Sequence, residues 1–373
     1  MQQAQIIVLA TPVFLALIAL ELWVGHRRGR QTYRLHDALS SVGLGIISQL
    51  AGVMSRLFGL GVYVLVFQQV SPGLPWQLPA NSLWVWLAAL LLYDLAYYWH
   101  HRLGHRVALL WAAHVVHHQS EDYNLSTALR QTASGWLAGW LFYLPLALLG
   151  FPPVVVGTVA LIDLLYQYWV HTQQIGKLGW FDRWFCSPSN HRVHHAVNDT
   201  YVDKNYGGIL IIWDRLFGTF TEERDDQPCV YGTRSPLHSW NPLRANLQVY
   251  LELAHDSWHA ARWADKLRVW LKPPGWRPAD VAARFPKPEF SLQAVQRFDP
   301  PSSRAAQWLA AAAFVGLMGA TTGLLWFAHL MAPWQFVLGS VALIAALCVV
   351  AALGQGQPSP QAAPGWAGMD RAS

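Results

Sequence analysis

SLWVWLAALLLYDLAYYWHHRLGHRVALLWAAHVVHH, residues 82–118, runs from an apolar stretch straight into two groups of histidines, and its reading decides the fold. A hydrocarbon core of about 30 Å takes roughly 20 apolar residues in helical form, so 82–99 reads as a membrane span. His101 and His105 follow at HxxxH spacing, then His114, His117 and His118 at HxxHH. A third group, His191, His194 and His195 in SPSNHRVHHAVN, repeats HxxHH. Separations of three and four residues put side chains on one helix face, so each group offers two or three convergent imidazoles. Facing helices can hold metals between such groups. Eight clustered histidines, with His171 in YQYWVHT as a ninth, exceed the roughly four ligands of one tetrahedral ion, so two metals are expected.

A polar helix face explains any one pair more simply, but not the set. An unpaired buried polar group costs roughly 1–3 kcal/mol, and eight imidazoles crowded beside a membrane without an ion would be heavily destabilising. The remaining histidines lack that support. His100 points to a different helix face from His101 and His105, His26, His36, His238 and His329 are isolated, and His255/His259 in AHDSWHA read as a solvated or interfacial face.

The rest of the 373 residues agrees with a membrane setting: 53% are hydrophobic and 13% charged, against about 25% charged in a soluble domain. The 21 tryptophans fit the same setting, because Trp collects at membrane interfaces. Cys186, Cys229 and Cys348 are too scattered for a disulfide framework or a CxxC zinc site. A net charge of +5 with dispersed basic residues points to anionic headgroups and away from nucleic acid.

Residues 5–24 read as a retained anchor, since no basic stretch precedes them and no cleavage pattern follows. Further apolar stretches are 39–68 (one span or two half-helices), 136–149 and 153–170 as a hairpin broken by Gly150, Pro152 and Pro153, and 306–328 with 334–353 as a last hairpin, which makes seven spans. Arg27, Arg28, Arg30 and Arg34 follow the first span, whereas 69–81 carries no charge, so the basic loop is placed in the cytoplasm. Alternation then puts every clustered histidine on the cytoplasmic face. The expected fold is an all-α integral membrane protein, a multi-span helical bundle with a cytosolic histidine-rich di-metal cap.

Imidazole suits Zn, Cu, Fe and Ni alike; the ligand number favours a pair of five- or six-coordinate ions, and iron handles oxygen chemistry at a lipid surface. Asp94 and Asp163 lie inside expected spans, where a carboxylate is expensive and usually functional. Each is about two helical turns, roughly 10.5 Å, from the histidine that follows it, so each is expected to orient a histidine of a neighbouring segment or to pair with Tyr and Trp groups.

The three boxes resemble those of the fatty acid hydroxylase/sterol desaturase superfamily of membrane di-iron enzymes. SEDYNLSTALRQ (120–131), YQYWVHT (166–172), GKLGWFD (176–182) and HRVHHAVNDTYVDKNYGGILIIWDRLFGTF (191–220) resemble its alkylglycerol monooxygenase subgroup. That resemblance implies two Fe ions, O2, and tetrahydropterin or another electron donor such as a reductase. It also implies hydroxylation of a lipid alkyl carbon; beside an ether oxygen the product is a hemiacetal that collapses to an aldehyde and a glycerol derivative. Tyr123, Asn124, Arg130, Asp203, Lys204, Asn205 and Tyr206 are then expected to line the site or to support its ligands, with loop structure as the equal alternative.

Two positions depart from the family pattern. Arg106 stands where Glu is common, which removes an acidic role, and Asn190 stands where His is common and offers an amide oxygen as a ligand. The organisation expected is 1–92 as N-terminal membrane helices, 93–232 as the histidine-box domain, 233–303 as a cytosolic linker, 304–354 as the last hairpin and 355–373 as a disordered tail. A desaturase or hydroxylase fed by a reductase, and a non-catalytic metal-binding membrane protein, are the alternatives.

Overall fold

A computed structural model describes residues 3–55 and 57–355, so nearly all of the tail expected to be disordered lies outside the described residues. Among them there is no β-strand; Phe185 with Leu210 and Ala196 with Tyr231 form isolated bridges. The main helices are α1 (Gln3–Arg27), α2 (Leu35–Met54), α3 (Val62–Val70), α4 (Leu83–Arg106), α5 (Ala108–His118), α6 (Pro153–Trp169), α7 (Pro188–His195), α8 (Pro242–His259), α9 (Trp263–Leu271), α10 (Arg304–Phe327) and α11 (Pro333–Gly354). Proline opens α6, α7, α8 and α11, at the position where a missing N–H costs nothing. Ser187 caps α7 by accepting from the Asn190 N–H, and Asn241 caps α8 by accepting from Leu243 and Arg244.

Four helices among the described residues are long and apolar enough to cross a membrane: α1, α2, α10 and α11. The remaining apolar stretches take other forms, and 39–68 follows its two-helix alternative. Residues 39–68 are two shorter helices, α2 and α3, with a π turn at Leu57–Gly61 between them. The stretch 136–149 is broken into 3-10 turns and the short helix Leu144–Leu148, and α6, at 17 residues, is at the lower limit of length for a span. α4 has the length, but Asp94 lies at its middle, three histidines lie in its second half, and Ala89, Tyr93 and Tyr98 are buried in protein.

Three cores position the site. Ile47, Leu50, Phe314 and Leu347 join α2, α10 and α11. Tyr63, Ala89, Tyr93, Leu146, Val155 and Val159 join α3, α4 and α6. Leu44, Val115, Val116 and Ala245 lock α5 between α2 and α8. Residues 242–271, expected as linker, are thus two helices packed on the protein. The basic loop between α1 and α2 also reaches the histidine-bearing unit: Arg28 donates to the Gln174 carbonyl (2.6 Å), Asn124 Nδ2 donates to the Thr32 carbonyl (2.6 Å), and Arg34 Nε donates to Asp122 (3.0 Å).

Candidate metal centre

The nine histidines form two sets, His101, His105, His114, His118 and His194 in one and His117, His171, His191 and His195 in the other, with the ligand atoms of each set within 4.8 Å of one another. In the first, the Nε2 atoms run His101–His114 (3.0 Å), His114–His118 (3.1 Å) and His118–His194 (3.2 Å). In the second they run His117–His171 (3.1 Å), His171–His191 (3.1 Å) and His191–His195 (3.2 Å). The rings of His118 and His195, one from each set, stack with centroids 4.3 Å apart.

Helix geometry sorts the ligands. The i,i+4 pairs His101/His105, His114/His118 and His191/His195 each stay together, while His117 of α5 and His194 of α7 cross to the other set. Adjacent helical residues point about 100° apart, so His117 and His118 face different sets.

Backbone carbonyls fix the tautomers. His101 Nδ1 is 2.8 Å from the Tyr206 carbonyl, His194 Nδ1 2.9 Å from that of Lys204, His117 Nδ1 2.9 Å from that of Arg130, and His171 Nδ1 2.7 Å from that of Gln167. A carbonyl only accepts, so each Nδ1 carries the proton and each Nε2 presents a lone pair. His117 and His171 therefore point lone pairs at each other across 3.1 Å. Two acceptors form no hydrogen bond, and a positive charge between them resolves the contact. A proton is disfavoured, since burial holds His171 well below its ordinary value and His117 at about 4. Burial depresses the other seven as well. His105 Nε2 is buried with no hydrogen-bond partner, as expected for a fifth ligand. The donor sets fit metal ions, and neutral imidazole selects first-row transition metals over Mg or Ca.

The other expected site residues support the histidines or the loops around them. Tyr123 lies against the His171 and His195 rings and donates its hydroxyl to the Val170 carbonyl (2.9 Å). Asp203, at φ 59°, places Oδ1 3.7 Å from His105 Nδ1 and Oδ2 2.9 Å from Arg106. Against its burial, His105 and Arg106 hold that carboxyl below its ordinary value. Arg106 thus pairs with the acid that faces a candidate ligand.

Lys204, Tyr206 and Arg130 serve the histidines through their carbonyls. The Arg130 side chain is fully buried and instead braces α5 and α2, donating to the Val116 carbonyl (2.8 Å) and to Ser40 and Ser41. Asn124 caps the turn Leu125–Ala128, and Asn205 (φ 56°) ties the Asn190 and Thr221 carbonyls together. Asn190, expected as a ligand, donates Nδ2 to the carbonyls of Asp182 (3.0 Å) and Phe185 (3.1 Å). It also lines a cleft of about 1140 Å³, with Trp180, Trp184 and Trp213, that none of the nine imidazoles lines. Its observed work is to brace the loop before α7.

Neither expected aspartate contacts a histidine. Asp94 accepts from the Ile209 and Leu210 N–H groups (2.7 and 3.1 Å) and from Trp213 Nε1 (2.8 Å), while Asp163 Oδ2 accepts from Gln167 Nε2 (2.6 Å) and its Oδ1 has no partner. The two carboxylates close on Gly208, where an added Cβ would lie 2.8 Å from Asp163 Oδ1 and 3.0 Å from Asp94 Oδ1.

Three further groups were not singled out in the sequence. Asp214 accepts from the Tyr206 and Gly207 N–H groups (2.8 and 2.7 Å) and from the Thr219 hydroxyl (2.6 Å), and so holds the loop that holds His101. Glu21 accepts from Tyr33, Thr172 and the Leu125 N–H. Arg192 grips Glu223 through two bonds of 2.7 Å and donates to the Thr172 carbonyl beside His171. Glu21 carried a readable signal, a carboxylate near the end of an apolar span.

Residues 86–219, which carry all nine histidines, match the model of the fatty acid hydroxylase family. Over 273 residues the chain is 41% identical to an alkylglycerol monooxygenase of Homo sapiens, covering 72% of this chain and 59% of that protein. An alkylglycerol monooxygenase of Caenorhabditis elegans is 31% identical over 318 residues (77% of this chain, 60% of the relative). The ornithine lipid hydroxylase OlsE of Rhizobium tropici is 30% identical over 132 residues, 35% of this chain and 40% of its own. The chain thus spans about 60% of the length of the alkylglycerol monooxygenases it matches. No solved structure gives a significant match.

Proposed function

We propose that the chain is a membrane monooxygenase that uses O2 to hydroxylate an alkyl carbon of a lipid, with an iron ion in each histidine set. The observation that carries the metal reading is the pair of opposed lone pairs on His117 and His171, each fixed by a carbonyl behind it. Two bound irons would supply the activation of O2 that no side chain here can perform. The chain's own part is to keep nine imidazoles neutral by burial, to aim Nε2 through the carbonyls of Tyr206, Lys204, Arg130 and Gln167, and to hold Asp203 ionised beside His105.

The subgroup similarity supports the ether-adjacent carbon of an alkylglycerol as the position attacked. Hydroxylation there yields a hemiacetal that breaks into a fatty aldehyde and a glycerol derivative. Tetrahydropterin or a reductase partner supplies the electrons. Placement on the cytoplasmic face is supported without counting spans, because the loop bearing Arg27, Arg28, Arg30 and Arg34 packs on the histidine-bearing unit at Gln174, Asp122 and Asn124.

The test is purified protein in lipid nanodiscs with an alkylglycerol, O2 and a tetrahydropterin, followed by mass spectrometry. Release of fatty aldehyde supports the reading. A product lacking two hydrogens makes the protein a desaturase, and no O2 consumption with zinc as the bound metal makes it non-catalytic.

A further inference from the structure

The helices α8 and α9, which the proposed chemistry does not use, carry an apolar face that none of the described residues covers. On α8, Leu247, Leu251 and Trp258 lie on one side, opposite the buried Ala245 and Asp256. On α9, Trp263, Leu267 and Leu271 repeat at four-residue spacing, opposite the buried Asp265 and Val269. Trp258 and Trp263 are 80% and 82% exposed and Leu267 is 70% exposed, more than Leu338 (62%) on the outer face of the span α11. A face of this extent marks a surface that something covers.

Charge and position say what covers it. Residues 242–272 carry five basic and three acidic side chains. All three acids are paired, Glu252 with Lys287, Asp256 with Arg277 and Asp265 with Arg268. The Arg262 and Lys272 cations flank α9, and Lys266 lies over the Trp263 ring. An apolar face of Leu and Trp bordered by Lys and Arg is the pattern of a helix lying in the plane of a membrane interface, with its cations among anionic headgroups.

The hairpin also sits at the right height. Gln355, just past the end of α11, donates to Ser239 Oγ just before α8 (2.7 Å), so α8 starts where a span leaves the bilayer. At its other end the Ala108 N–H donates to the Lys272 carbonyl (2.9 Å), and Gln119 donates to the Ala245 carbonyl (3.1 Å), which fastens both helices to α5 and its three histidines.

We infer that α8 and α9 form an in-plane anchor whose Leu and Trp face is immersed in the headgroup–acyl boundary of the bilayer that α11 crosses. The anchor fixes α5, and with it both histidine sets, against the lipid surface. This rests on the membrane-spanning reading of α11 and not on the reaction proposed above.

The test uses full-length protein carrying Cys229→Ser and Cys348→Ser, in nanodiscs of phosphatidylcholine and phosphatidylserine, with one nitroxide at a time on Leu251→Cys, Leu267→Cys, Leu338→Cys or Glu289→Cys. Collision with O2 relative to a water-soluble nickel complex reads immersion. Ratios at 251 and 267 several-fold above that at 289, and approaching that at 338, are expected. Ratios at 251 and 267 equal to that at 289, with 338 still reading lipid, overturn the anchor alone. Spin–spin broadening between copies at 267 replaces the bilayer with a second copy of the chain and also overturns it. If 338 reads water, the membrane reading falls and the anchor falls with it.

Discussion

Asp214→Asn should weaken metal binding at one histidine set while sparing the other. The native carboxylate accepts two bonds at Oδ1, from the Tyr206 N–H (2.8 Å) and the Thr219 hydroxyl (2.6 Å), and one at Oδ2, from the Gly207 N–H (2.7 Å). Asparagine keeps one oxygen and turns an NH2 toward the remaining amide. The Gly207 N–H and the new NH2 then face each other without an acceptor, at a cost of about 1–3 kcal/mol or more.

That strain falls on the loop whose Lys204 and Tyr206 carbonyls hold His194 and His101, both in the five-histidine set. In the four-histidine set, His117 and His171 are held by Arg130 and Gln167, away from this loop. Loss of an outer hydrogen bond costs roughly 10- to 100-fold in metal affinity, about 1.4–2.7 kcal/mol, which lies within the donor cost. Metal titration of the chelator-stripped variant, compared with wild type, should show one affinity weakened by that factor and the other unchanged. Equal weakening of both, or of neither despite a lowered melting temperature, would refute the coupling of Asp214 to His101 through Tyr206.

Gly208→Ala should destabilise by about 1–3 kcal/mol, as overpacking does, because the new methyl meets Tyr97 Cδ1 at 2.8 Å as well as both carboxylates. Denaturation showing wild-type stability would mean Asp94 and Asp163 can separate freely. Glu223→Gln leaves the Arg192 charge buried without its partner and should cost about 3 kcal/mol, the low end for such a loss because Glu223 is partly exposed. An unchanged melting temperature would contradict it. For pH, the buried imidazoles have folded values below the ordinary 6.5, so the unfolded chain takes up more protons on acidification. The metal-free protein is then fully stable above about pH 6.5 and loses up to about 1.4 kcal/mol per pH unit for each such group below it. Calorimetry at pH 7.5 and 5.5 checks the sign, and a higher melting temperature at 5.5 would refute it.

The grouping of the nine histidines was legible because helical spacing constrains which side chains can meet; their division into two sets follows from the same geometry once α5 and α7 are seen to exchange His117 and His194. The rest was hidden for physical reasons. The residues that aim the histidines do so through backbone carbonyls, as Lys204, Tyr206, Arg130 and Gln167 show, and a carbonyl leaves no mark on residue identity. Asp94 was recognisable as a buried acid, but its partners, Ile209, Leu210 and Trp213, lie more than a hundred residues away. α4 and α6 bury one face each, at Ala89, Tyr93, Val155 and Val159, and leave Leu83, Trp84, Leu87, Val154 and Leu164 exposed, a division that hydropathy summed over a stretch does not show. α8 and α9 were passed over because their apolar faces are too short and too interrupted by charge to resemble a span.

The central claim is that the paired histidine sets transfer an oxygen atom from O2 to a lipid alkyl carbon. Purified iron-loaded protein in nanodiscs is given an alkylglycerol, a tetrahydropterin and isotopically heavy O2, and the aldehyde is trapped by reduction as it forms. The fatty alcohol recovered should carry one heavy oxygen, and the His171→Ala protein should release none. Aldehyde carrying only oxygen from water, or an oxidised lipid that has lost hydrogen and gained no oxygen, would contradict the account.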